Sequence, residues 1–125
     1  MVETYAEQES ENRIALIISL TNDIQNERVL SVNEYQTIYK IKSVTTGVDC
    51  IKSPEDLSAF WHIFQQTMDR ILNTHGRECQ IHLFPSMPVS ASFEVGRRYM
   101  QNAYPKITIL EEDKGFFETI QLGGE

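Results

Sequence analysis

Arg13-Ile14-Ala15-Leu16-Ile17-Ile18-Ser19-Leu20-Thr21-Asn22-Asp23 is the stretch that decides the fold. A strand with one wet face alternates apolar and polar residues. Here the apolar, partly β-branched positions are consecutive, which is the pattern of a strand buried on both faces near the middle of a covered sheet. Thr21-Asn22-Asp23 ends it with turn and cap chemistry.

The rest of the chain supplies the cover. Residues 24–35 allow a short helix through Ile24, Val29, Leu30 and Val32. Residues 36–44 alternate, with Ile38, Lys40, Lys42 and Val44 on one side and Thr37, Tyr39 and Ile41 on the other. They read as a second strand, less buried than the first. Thr46-Gly47-Val48-Asp49 reads as a loop. Ser53-Pro54-Glu55-Asp56 is a helix start, with Ser at the cap, Pro at the first helical position and acids in the first turn. Leu57, Phe60, Trp61, Phe64, Met68, Ile71 and Leu72 follow at helical spacing, and His75-Gly76 closes the helix.

Cys79–Phe84 reads as a short apolar strand, residues 85–90 as a turn, and about Val89–Gln101 as a helix with Ala91, Phe93, Val95 and Tyr99 inward. Pro105 closes the connection. Ile107–Leu110 and Phe116–Leu122 read as strands about a hairpin-like turn at 111–115. Strands that alternate with helices imply crossovers and a largely parallel sheet. The last two strands, joined by a short turn, should be antiparallel. The expected fold is a single Rossmann-like α/β domain over residues 13–122. Residues 1–12 are expected as an acidic, partly disordered arm, and 123–125 as a tail. Such sheets bind ligands at the carboxyl ends of their strands, where the strand order reverses.

Composition excludes several classes. The chain has 125 residues, enough for one core and no more. The longest apolar run is far short of the ~20 residues of a membrane span, and the acidic start is unlike a secretory leader. Cys50 and Cys79 have no CxxC spacing, so a disulfide framework is not expected and a cytoplasmic location suits them. Eleven basic against eighteen acidic residues give a net charge of −7, which argues against a duplex nucleic acid partner.

Three candidate sites follow from the residues. Pro85-Ser86-Met87-Pro88-Val89-Ser90 runs from a buried strand into a helix, whose first amides and dipole favour an anion. Ser90, Ala91 and Ser92 are small enough for a phosphate or base to come close. Any strand–turn–helix unit has such amides, so an ordinary helix start fits as well. Thr21 and Asn22 emerge on the same sheet edge and offer hydrogen bonds, or form a simple cap. Gly96-Arg97-Arg98 lies in the second helix, where a glycine suggests close packing; Arg97 is a candidate phosphate contact and equally an ordinary surface arginine.

Metal and catalysis are not expected. His75, Cys79 and His82 lack a fourth ligand, and His82 falls inside a strand. No GxGxxG, P-loop, HExxH or GxSxG pattern is present. Nothing brings Cys50 and His62 together as nucleophile and base. No cofactor is expected.

Ile81-His82-Leu83-Phe84-Pro85-Ser86-Met87-Pro88, continuing to Gly96-Arg97, resembles the C-terminal half of SAVED domains, with their HLF-P-x-x-P run, a later Gly-Arg, a Pro and a strand–turn–strand end. Leu16 to Ile24 is similar to the family's L-x-x-S-x-T-x-D-I opening. The resemblance covers about residues 13–122. It implies a CARF-like domain that senses a cyclic oligonucleotide in CBASS or type III CRISPR antiviral signalling, with the ligand lying across two such halves. It implies no catalysis, though some CARF proteins slowly cleave cyclic oligoadenylate. At 125 residues this chain has the length of one half, and it is expected to act as a sensor without its own effector. A homodimer, or a partner chain supplying the second half-site, is therefore expected. The alternative is a companion subunit docked on an effector protein. Thr21, Asn22, Pro85, Ser86, Met87, Pro88, Ser90, Ala91 and Arg97 are the expected ligand-binding residues.

Overall fold

The structure is a computed structural model that describes residues 2–5, 13–21, 24–25, 28–29, 37–42, 51–98, 105–112 and 116–122. Its strands are β1 (Val2–Tyr5), β2 (Arg13–Ser19), β3 (Ile38–Lys42), β4 (Gln80–Ser86), β5 (Lys106–Glu112) and β6 (Phe116–Leu122). Its long helices are α1 (Pro54–His75), between β3 and β4, and α2 (Val89–Arg98), between β4 and β5. One sheet holds all six strands in the order β1-β3-β2-β4-β5-β6. The four inner strands are parallel. Both edge strands are antiparallel to their neighbours. The architecture is the expected Rossmann-like α/β sheet.

The run Ile14–Leu20 is buried throughout, as its apolar character, broken only by Ser19, leads one to expect of a strand flanked on both sides and covered on both faces. Its even-numbered residues Ile14, Leu16 and Ile18 join the larger core. That core also takes Tyr39 and Ile41 of β3, Ile81 and Leu83 of β4, and Ile107 of β5. Helix α1 covers this face with Phe60, Trp61, Phe64, Met68 and Ile71. Trp61 and Phe64 stack at 5.5 Å between ring centroids. Each such side chain, fully buried, contributes about 1.5–3 kcal/mol. The odd-numbered residues Ala15 and Ile17 belong to a smaller core with Ile24, Val29, Ile38, Phe84 and Leu110.

The ends of α1 are set by the residues that announce them. Ser53 Oγ accepts the Asp56 amide at 3.2 Å, and Asp56 Oδ2 accepts the Lys52 amide at 2.9 Å. Gly76 takes φ +84°, a left-handed value that side chains disfavour. Its N–H then reaches the Leu72 carbonyl at 2.9 Å.

Several expectations need correction. Residues 2–5 are not part of a free arm: Val2 to Tyr5 pair with Ile41 to Ile38. A short edge strand needs only one hydrogen-bonding neighbour, so it carries little periodic signal, and its charged Glu3 suits an edge. β3 is as buried as β2 over Ile38–Ile41. The reason is position, since it lies between β1 and β2 with core on both faces.

β4 extends through Pro85 and Ser86, which are paired with Ile18 and Ser19. The ladder to β5 ends at Leu83–Ile109, and the Ser86 carbonyl faces β2. Backbone groups alternate sides along a strand, so the nitrogen of Pro85 faces the released β5 side, where no donor is needed. β5 also runs past the expected end to Glu112, with a register shift between Ile109 and Leu110. In α2, Ala91 and Val95 are buried as expected. Gly96 is not a close-packing position: a Cβ there would meet nothing within 4 Å. Of the short helix expected within 24–35, Arg28 and Val29 are helical. Ile24 and Gln25 are not helical, while residues 26–27 and 30–35, Tyr99 and the Phe93 side chain lie outside the described residues.

Candidate functional site at the strand-order reversal

Strand order creates the site. From β2 the chain passes to β3 on one side, and α1 then carries it back across β2 to β4 on the other. The reversal falls between β2 and β4. The segments that follow these two strands must leave on opposite faces, and a crevice opens at their carboxyl ends. Core membership shows this divergence. Ile24 and Val29, after β2, join the smaller core, whereas Ala91 and Val95, after β4, join the larger one.

The two strand ends are tied together at the crevice. The N–H groups of Leu20 and Thr21 both donate to the Ser86 carbonyl, at 2.8 and 2.9 Å. Thr21, half-buried, therefore lies beside Ser86. Pro85, Ser86, Met87 and Pro88 are also half-buried, and Met87 packs on the larger core. The Pro88 carbonyl accepts the Ser92 N–H at 3.1 Å, the first bond of α2. The amides of residues 89–91 accordingly have no intrahelical acceptor. Ser90 is exposed and Ala91 buried.

The first turn of α2 holds no acidic residue, whereas that of α1 holds Glu55 and Asp56. The positive end of the α2 dipole is thus not balanced by a carboxylate of its own first turn.

Topology thus brings Thr21, Pro85, Ser86, Met87, Pro88, Ser90 and Ala91 to the carboxyl-end side of the sheet, where β2 and β4 meet. Asn22 lies outside the described residues. Arg97 is in α2, seven residues beyond Ser90, which places its backbone roughly 10 Å further along the helix axis.

Two residues of this region were not anticipated as functional. Ser19 Oγ accepts the Ile24 N–H at 3.0 Å. Lys40 Nζ donates to the Ile24 carbonyl, also at 3.0 Å. Both side chains are buried, and Lys40 is only 5% exposed. They hold both backbone groups of one residue in the segment after β2. The signal for Lys40 was its place opposite Tyr39 and Ile41 in an alternating strand, because a lysine on a covered face needs a partner.

The other sequence candidates are not brought together. His75 Nε2 lies 3.1 Å from the Tyr39 hydroxyl on the larger-core side. His82 alternates to the opposite face of β4 from Ile81 and Leu83, so the two histidines are on different sides of the sheet. No group of metal-binding side chains occurs among the described residues. Burial pushes the Cys79 thiol up to about 11, so it is not a ready thiolate. His62 is exposed on α1, and Cys50 lies outside the described residues. No described helix is long and apolar enough to cross a membrane.

Comparison with curated proteins gives no match. The family model for SAVED, the SMODS-associated sensor domain fused to various effectors, matches residues 2–122. That span includes β1 and the carboxyl ends of both β2 and β4. Sensing of cyclic oligonucleotides in antiphage signalling is the role of this family. With nearly the whole chain matched, the chain belongs to the SAVED family of sensor domains.

Proposed function

We propose that this domain binds a cyclic oligonucleotide at the carboxyl ends of β2 and β4, and senses it by binding rather than by cleaving it. The observation that carries the reading is the pair of hydrogen bonds from Leu20 and Thr21 to the Ser86 carbonyl. They join the two loops at the strand-order reversal, beside the start of α2. Phosphate would meet the amides of Ser90 and Ala91 and the favourable end of the α2 dipole. Thr21 and Asn22 supply polar contacts, Pro85 to Pro88 shape the pocket wall, and Arg97 is a peripheral contact. The second half-site comes from another copy of this chain or from another chain.

The test is thermal stability against a panel of cyclic di-, tri- and tetranucleotides, with native mass measured alongside. A ligand at 100 times its dissociation constant adds about 2.7 kcal/mol of stability, which is a visible shift. One member is expected to raise the melting temperature, and a complex mass of two chains would place the paired site between copies. No shift with any member, from a folded protein, overturns the reading for this chain.

Ser90→Asp locates the site. A carboxylate in the first turn favours the helix dipole but repels phosphate, so binding is expected to vanish while the melting temperature holds. Unchanged affinity would remove the start of α2 from the site.

A further inference from the structure

We infer that Ser19 and Lys40 are positioning residues for the ligand crevice, acting through Ile24; this inference rests on the binding site proposed above. Ser19 is the last residue of β2, and Ile24 lies five residues on, where the chain has turned onto the smaller-core face. The serine hydroxyl takes the amide of Ile24 and the lysine ammonium takes its carbonyl. Thr21 and Ile24 are therefore each held by hydrogen bonds. Leu20 and Thr21 are bonded to Ser86, and Ile24 is bonded to β2 and β3 side chains.

The chemistry is asymmetric in a useful way. An aliphatic residue at 24 is buried by the smaller core, and its side chain alone would fix depth but not the direction of the backbone. Two polar contacts at 3.0 Å on opposite backbone groups fix direction. Burying a lysine is costly unless its ammonium is hydrogen-bonded. A methionine of similar length would fill the same space without that requirement. The lysine therefore supplies a constraint on the loop that apolar packing would not. That constraint lies just beyond the carboxyl end of β2, three residues from Thr21, so its loss should loosen the Thr21 side of the proposed site.

The experiment compares Lys40→Met, Lys40→Arg, Ser19→Ala and Ser19→Thr in the full chain. The ligand is whichever panel member raises the wild-type melting temperature. Affinity is read by calorimetric titration well below each variant's melting temperature, and hydrogen exchange at the Ile24 amide is read without ligand. Lys40→Met and Ser19→Ala are expected to weaken binding tenfold or more and to speed Ile24 exchange by a similar factor. Lys40→Arg and Ser19→Thr, which keep the donor and the acceptor, should recover most of the affinity.

A role in stability alone would lower the melting temperature and leave the affinity of folded protein unchanged, which overturns the inference. If Lys40→Met does not fold, the Ser19 pair decides by the same readouts. If wild-type protein binds no member of the panel, the site itself fails, and that result is distinct from a wild type that binds while the variants bind equally well.

Discussion

The two faces of the sheet are built on different terms. Toward α1 and α2, the inward strand residues are Ile14, Leu16, Ile18, Tyr39, Ile41, Ile81, Leu83 and Ile107, with Tyr39 the one that carries a polar atom. On the opposite face the same four strands bury Ser19, Lys40, His82 and Thr108 among Ala15, Ile17, Ile38, Phe84 and Leu110. His82 and Thr108 are direct register neighbours. The first face is mostly hydrocarbon with aromatic stacking, apart from the Tyr39–His75 contact, and its energy is largely proportional to buried area and indifferent to direction. The second includes groups that must be hydrogen-bonded when buried. Such groups add little net stability, but they specify geometry. The larger hydrophobic cluster lies on one face, and the side-chain contacts to the Ile24 backbone lie on the other.

The largest effect should separate the faces. Phe64 is fully buried and stacked on Trp61. Phe64→Ala is expected to cost about 3–5 kcal/mol in a denaturant titration. Phe84→Ala, in the smaller core, should cost less because fewer neighbours hold that cavity open. An equal or larger loss at Phe84 would break the comparison.

A pH series sharpens it. Burial lowers the pKa of His82 below the ordinary 6.5, and the charges of Arg13 and Lys106 lower it further, while Glu118 opposes them. The folded protein thus binds this proton less readily than the unfolded chain. The stabilisation is full above about pH 6.5 and is lost as pH falls below that value toward the folded pKa. His82→Gln should flatten this part of the stability curve. An unchanged slope in the variant would assign the acid sensitivity to other groups.

The smallest effect concerns the outer side of α2. Gly96 is exposed and helical, and an added Cβ meets nothing. Gly96→Ala should therefore stabilise the domain by about 0.5–1 kcal/mol, seen as a raised denaturation midpoint. A loss of stability would mean that the backbone there is not an ordinary helix.

Much of this was legible along the chain. The run 14–20, apolar at every position but Ser19, gave a central strand, because burial on both faces leaves little room for polar side chains. Ser53-Pro54 and His75-Gly76 gave both ends of α1, because caps are chemistry between near neighbours. The loop 85–90 and Thr21 were placed on one sheet edge because parallel strands must share an end. What was missed was nonlocal. Val2–Tyr5 is a strand only because β3 offers it an edge, and Pro85 remains in a strand only because β5 has already parted from β4.

By itself the sequence determined the α/β class, the long capped helix, the parallel core strands and the segments that could meet a phosphate, since each is written in the spacing of adjacent residues. Only the tertiary structure decided that the order reverses between β2 and β4, that Ser86 receives both Leu20 and Thr21, and that Ser19 and Lys40 close on Ile24. These are contacts between residues far apart in the chain or across a turn. They are selected by how the whole chain packs and pairs its buried polar groups, and no local pattern records that.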